Sequence, residues 1–182
     1  MSTPDINYRS YADQDNVTVT GETIQAPDPQ NYDDILKISH CQFMTVSGCI
    51  INANGGNRED GVDIMRDSYA VHLTDCDVGA GKLYAFTIKG GSDMVSLKNI
   101  VITRPGPWPQ RVDIDIGNFS STVPNSKTGR VFLENVTRLD GKPVRVRVGW
   151  ADRPIIVGGN VKVLFWQSLI LKAYVWVMRK FA

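Results

Sequence analysis

The stretch 70–93, "AVHLTDCDVGAGKLYAFTIKGGSD", carries two alternating apolar runs, Val71/Leu73 and Phe86/Ile88, with an apolar Cys76/Val78 step between them. Alternation puts such side chains on one face of a strand. A single occurrence would be a hairpin, whereas recurrence at a fixed interval makes a solenoid. It recurs. Ile38, Ile64, Ile88 and Ile114 are spaced by 64 − 38 = 26, 88 − 64 = 24 and 114 − 88 = 26. A second anchor repeats with them: Met44/Val46/Cys49/Ile51, Val71/Leu73/Cys76/Val78 and Val95/Leu97/Ile100/Ile102, then Val131/Leu133/Val136 after a long insertion. Val17/Val19/Ile24 opens the series. A fixed period within about 20–50 residues, filled by period-2 strands, is the signature of coils that bury their apolar face only by stacking.

The expected fold is therefore all-β: a single-stranded right-handed parallel β-helix of about six coils over residues 17–160. A polar lead-in, 1–16, precedes it and an apolar segment, 161–182, follows as last coil, cap or interface. A chain of 182 residues suffices for a sizeable core. Glycines gather at expected coil corners such as "KGGSD", where positive φ costs glycine little. The net charge of +1 gives no electrostatic case for a nucleic-acid partner. The polar opening "MSTPDINYRSYADQDN" lacks the apolar stretch of a signal peptide, which implies synthesis in the cytoplasm. Cys49 and Cys76 hold equivalent inward positions in neighbouring coils, about 4.8 Å apart by strand spacing. A disulfide is geometrically conceivable. Stacked buried thiols are the preferred reading, because Ile100 and Val136 fill the same slot above them.

The block "DGVDIMRDSYAVHLTDCDV…FTIKGGSDMVSLKNIVI" resembles the central coils of the pectate-lyase-like right-handed β-helices. The resemblance implies that fold. It also implies one of two settings: a polysaccharide lyase, or a phage spike or adhesin built on the same scaffold. The lyases use calcium to acidify a proton beside a uronate carboxyl and an arginine to remove it. Where the family places a calcium-binding aspartate before "IKGGSD", this chain has Thr87. Its Trp-Ile-Asp-His-Cys strand is matched by His72, Leu73, Thr74, Asp75 and Cys76. Its arginine run is approached by "GKPVRVRVG" (141–149), with Gly141 in place of the first arginine. The expectation is thus no cofactor, with calcium entering only under the lyase alternative.

With the anchors inward, their neighbours face outward. The expected columns are Lys37, Asp63, Thr87, Asp113, Arg145 and Ser39, Met65, Lys89, Asp115, Arg147. Asp113, Asp115, Arg145 and Arg147 are the catalytic candidates if the chain is an enzyme, since a glycosidase needs two carboxylates about a bond. Two readings stand side by side: a carboxylate–arginine groove for a sugar, or cross-strand ion pairs on a solvated sheet. Asp63 and Lys89 join Trp108, Arg104 and Arg111 of the Pro-rich "TRPGPWPQR" (103–111) as ligand-binding candidates. His40 and His72 lack any zinc-site context, so no metal site is expected.

The C-terminal "VKVLFWQSLILKAYVWVMRKFA" (161–182) contains Gln167, Ser168 and Lys172 and so has no uncharged apolar run long enough for a transmembrane helix. Trp166, Ile170, Tyr174, Trp176 and Met178 would together make its outer face apolar, which predicts an interface with a second copy or a larger scaffold. The expected function is a non-catalytic structural or adhesive, carbohydrate- or host-surface-binding part of an assembly, a phage virion being the setting (decoration, spike or tail component). A small polysaccharide lyase or glycoside hydrolase is the alternative.

Overall fold

The computed structural model describes residues 9–25, 34–52, 60–106, 112–117, 127–149, 151–152 and 154–165. Strands and no helices run through them. The first coil is β1 (Arg9–Ala12), β2 (Thr18–Thr20) and β3 (Thr23–Gln25). The second is β4 (Leu36–Ser39), β5 (Gln42–Ser47) and β6 (Ile50–Asn52). The third is β7 (Val62–Met65), β8 (Tyr69–Thr74) and β9 (Asp77–Gly79). The fourth is β10 (Phe86–Ile88), β11 (Val95–Lys98) and β12 (Val101–Arg104). The fifth is β13 (Ile114–Ile116), β14 (Val131–Glu134) and β15 (Thr137–Arg138). Last come β16 (Val144–Val148), β17 (Ile155–Val157) and β18 (Val161–Phe165).

Each strand pairs in parallel with its counterpart one coil away. Sheet A runs β1-β4-β7-β10-β13-β16-β18, sheet B β17-β14-β11-β8-β5-β2, and sheet C β15-β12-β9-β6-β3. This is the parallel β-solenoid that the repeat predicts. Its complete three-strand coils number slightly fewer than the six expected, because β16–β17 lack a third strand among the described residues. The stack also reaches past 17–160: β1 pairs with β4, and β18 with β16. No helix among the described residues is long and apolar enough to cross a membrane.

The anchors pair as the spacing requires through the fourth coil, Ile38 with Ile64 and Ile64 with Ile88. The next step differs. Ile114 lies opposite Phe86, and Ile88 opposite Ile116, so this interval is 116 − 88 = 28. The two additional residues fall in a coil that contains the Pro-rich connection. An even insertion leaves a period-2 strand facing the same way, so the inward pattern hides the slip.

The core is a set of stacked columns. Leu36, Val62, Phe86 and Ile114 form one in sheet A, each 0% exposed. Cys49, Cys76, Ile100 and Val136 form another at the bend into sheet C, and the carbonyls of Cys49, Cys76 and Ile100 each accept a backbone hydrogen bond from the next coil. All three thiols are free and buried, which bears out the stacked-thiol reading. Burial pushes the Cys76 thiol up to about 11, so it stays protonated and inert. Full burial of each large aliphatic contributes about 1.5–3 kcal/mol relative to exposure.

The corners explain the glycines and asparagines. Gly21, Gly48, Asp75, Asn99, Asn135 and Gly158 occupy the sheet B-to-C bend of successive coils, all at positive φ. Glycine and asparagine adopt this left-handed backbone most readily. Asn135 Nδ2 donates to Asn99 Oδ1 (3.0 Å), and Asn99 Nδ2 to Asp75 Oδ1 (2.8 Å), tying three coils along that edge. At the corner entering sheet B, Asp93 Oδ1 accepts from the amides of Met94 (2.8 Å) and Arg130 (2.6 Å).

Hydrogen bonds from the Arg130 side chain, and then from those amides, hold the Asp93 carboxyl down at about 2. The native state therefore binds this proton more weakly than the unfolded chain does. The stabilisation is complete above about pH 4 and fades as pH falls toward 2. Asp93→Asn is expected to flatten that limb of an acid-denaturation curve. An unchanged acid slope would show that the pair is too solvated to matter.

Candidate functional site

The outward positions of sheet A hold the candidate chemistry. The column reads Lys37, Asp63, Thr87, Asp115, Arg147. Asp115, not Asp113, thus follows Thr87, correcting the expected order. Asp113 still neighbours Arg145, and Asp115 still neighbours Arg147. Both pairs have moved together by the two inserted residues.

The face is not solvated, which corrects the second expectation. Asp113 and Asp115 are 0% exposed, Asp63 1% and Thr87 2%. Two described segments lie against it. Tyr84 reaches Arg147, whose Nη2 donates to the phenol oxygen at 2.7 Å, with the guanidinium carbon 5.2 Å from the ring centre. Gly106 brings its backbone to Asp113. Period-2 patterning says which way a side chain points and nothing about what a distant segment lays over it.

Each carboxylate on this face has its cation. Asp115 takes a bidentate pair from Arg147, Nε to Oδ1 at 2.7 Å and Nη2 to Oδ2 at 2.6 Å. Asp113 accepts from Gly106 N (2.9 Å), Arg145 N (2.8 Å), Arg145 Nη2 (3.2 Å) and Arg138 Nη1 (3.4 Å). Arg138 also holds Asp140 through Nη2 at 2.6 Å. Lys89 Nζ lies 3.0 Å from Asp63 Oδ2, and Lys37 Nζ 3.6 Å from Asp34 Oδ2. The hydrogen bonds from Arg147 to Asp115 raise the guanidinium further, outweighing burial. Burial pushes Lys89 down, but Asp63, Asp60 and Asp34 overcome it and the net shift is upward. Arg147 and Lys89 therefore stay charged at any ordinary pH.

Asp60, which sequence reasoning missed, behaves differently. It is buried, and its Oδ1 accepts the Tyr84 amide at 3.1 Å. Burial pushes its carboxyl well above the usual range, and the nearby Asp34 and Asp63 add to this. In sequence, "EDGVDI" looks like an Asp-Gly turn. Gly61 is there for space, since a Cβ would meet Gly79 O at 2.4 Å. Arg138 and Tyr84 were missed as well, and neither carries a signal in the repeat.

The geometry therefore joins Asp113 with Arg145 and Asp115 with Arg147, and separately Asp63 with Lys89. Arg104 is exposed at the end of β12. Trp108 and Arg111 lie outside the described residues. No group of three or more His, Cys, Asp or Glu able to hold a metal occurs among the described residues. No family model matches the chain, and no curated protein or solved structure matches it either.

Proposed function

We propose that this chain is a non-catalytic structural or adhesive component of a larger assembly, with a phage virion as the setting that the β-helix resemblance favours. The observation that carries the reading is the state of Asp113 and Asp115. A carboxylate acting on a glycosidic bond or a uronate must offer an oxygen to substrate. Here both are buried against guanidinium groups, as expected of groups that brace a scaffold. The alternative, a small polysaccharide lyase or hydrolase, draws support from the raised Asp60 carboxyl, since a general acid needs that direction of shift.

Attachment to the assembly is proposed through the C-terminal end. On the outer face of sheet B, one column passes from His72 and Ser96 to Phe132 and Ile155. The next passes from Thr74, Lys98 and Glu134 to Val157. Ile155 and Val157 are exposed, so the face turns apolar at its last strand. The proposed interface residues Trp166, Ile170, Tyr174, Trp176 and Met178 lie outside the described residues.

Native mass is the test. Full-length protein is expected to run as an oligomer, and Trp166→Lys with Trp176→Lys to yield a folded monomer. Truncation after Phe165, which keeps β18, is expected to break assembly in the same way. A soluble full-length monomer that unfolds with those changes would make the segment an internal cap. Ultraviolet absorbance of unsaturated product from a uronate polymer with calcium is expected to stay at background. A robust signal lost on changing Arg145 or Arg147 would establish the enzyme instead.

A further inference from the structure

At the corner between sheets A and B, the rings of Phe43 and Tyr69 meet edge to face, with centroids 5.8 Å apart and planes at 86°. They are 54% and 39% exposed, so neither fills the core. Phe43 also sits at φ 54°. Its counterparts in other coils are Asn16, Ala70 and Met94, all at positive φ, so the backbone conformation belongs to the corner. Asparagine suits such a position, whereas a bulky aromatic is strained there. Phe43 stays more than half exposed. A large aromatic kept half exposed at such a corner points to a surface role.

The surroundings indicate what that role is. Tyr69 is in register with Gln42 on one side and Asp93 on the other. Gln42 is exposed. Arg130 grips Asp93 through Nη2 to Oδ2 at 2.6 Å and Nε to Oδ1 at 3.1 Å, which fixes both groups on the coils that follow Tyr69. Two rings with an amide beside them, followed along the same corner by a carboxylate and a guanidinium, match a short sugar chain, with an apolar face to stack and hydroxyls to bond. A stable protein partner would need about 800 Å² per side. Here the adjoining outward column is polar, running Thr45, His72 and Ser96.

We infer that the Phe43–Tyr69 corner is a carbohydrate-binding site, a sugar chain lying along it with one ring stacked against the aromatic pair while Gln42 and, further along, the Asp93–Arg130 pair bond its hydroxyls. This deepens the adhesive part of the reading above and rests on it. The site is separate from the sheet A ion pairs.

The test uses labelled full-length protein on a printed array of neutral hexose oligomers, uronate oligomers and bacterial O-antigen chains. At least one class is expected to be retained. Phe43→Ala with Tyr69→Ala should lower that signal at least tenfold, and Phe43→Trp should keep it. Phe43→Asn, copying Asn16, should raise the melting temperature by about 2–4 °C, because the backbone strain is relieved. No retained glycan, a signal unchanged in the double variant, or a fall in melting temperature with Phe43→Asn would each overturn the inference. Loss of oligomer in the double variant without any glycan binding would make the corner a protein interface and overturn it too. Native mass separates the two claims: a glycan-binding monomer sinks the assembly reading alone, and an oligomer blind to glycans sinks this one alone.

Discussion

Asp113→Ala is expected to destabilise the solenoid by about 3–5 kcal/mol, read as a drop in the denaturant midpoint. Asp113 is fully buried and faces Arg145 and Arg138, while also accepting the amides of Gly106 and Arg145. Removing it leaves the partly buried Arg145 guanidinium without its carboxylate, while Arg138 keeps Asp140, and frees two backbone donors. Asp113→Asn keeps the volume and part of the hydrogen bonding, so its loss should be smaller. The segment before Gly106 should also loosen, detected as faster amide exchange at Gly106. A loss under about 1 kcal/mol would mean that water reaches the arginines once the carboxylate is gone.

Ile88→Ala is the second large effect, at about 2–5 kcal/mol. Ile88 is fully buried in the column between Ile64 and Ile116, so truncation opens a cavity bounded by coils on both sides. Parallel strands held by backbone ladders cannot close that gap without breaking register. Thr87→Ala, one residue away on the opposite face, removes fewer atoms and should cost about 1 kcal/mol. The side chain is buried, so it is not a neutral surface change. Equal losses at both positions would contradict the inward placement of Ile88.

The inward half of the fold was legible in the sequence because it is periodic. Ile38, Ile64 and Ile88 announce their column by type and spacing, as do Cys49, Cys76 and Ile100. The corner at Gly48, Asn99 and Asn135 was legible in kind, since those residues favour left-handed backbone. Phe43 and Ala70 adopt the same conformation against their own preference, so nothing in their identity gave it away. The outward half was legible only as residue types. Which carboxylate follows Thr87 depended on two residues in a connection, and an even slip leaves the apolar pattern unchanged. The contacts made to Arg147 by Tyr84 and to Asp113 by Gly106 come from residues that belong to no repeat. Asp60 acquires its unusual carboxyl from tertiary burial that a local Asp-Gly pair cannot announce.

Thr87 stands directly between Asp63 and Asp115 in the outward column, opposite both. It carries no charge, so it acts as an insulator between two anionic rungs. Each rung answers to its own counter-ion, Lys89 on one side and Arg147 on the other. The coil is therefore not an interchangeable module. Excising the fourth one would splice an apolar face that still matches, yet press two buried carboxylates onto adjacent rungs about 4.8 Å apart. The inward pattern would permit such a shortened solenoid, and the outward one forbids it.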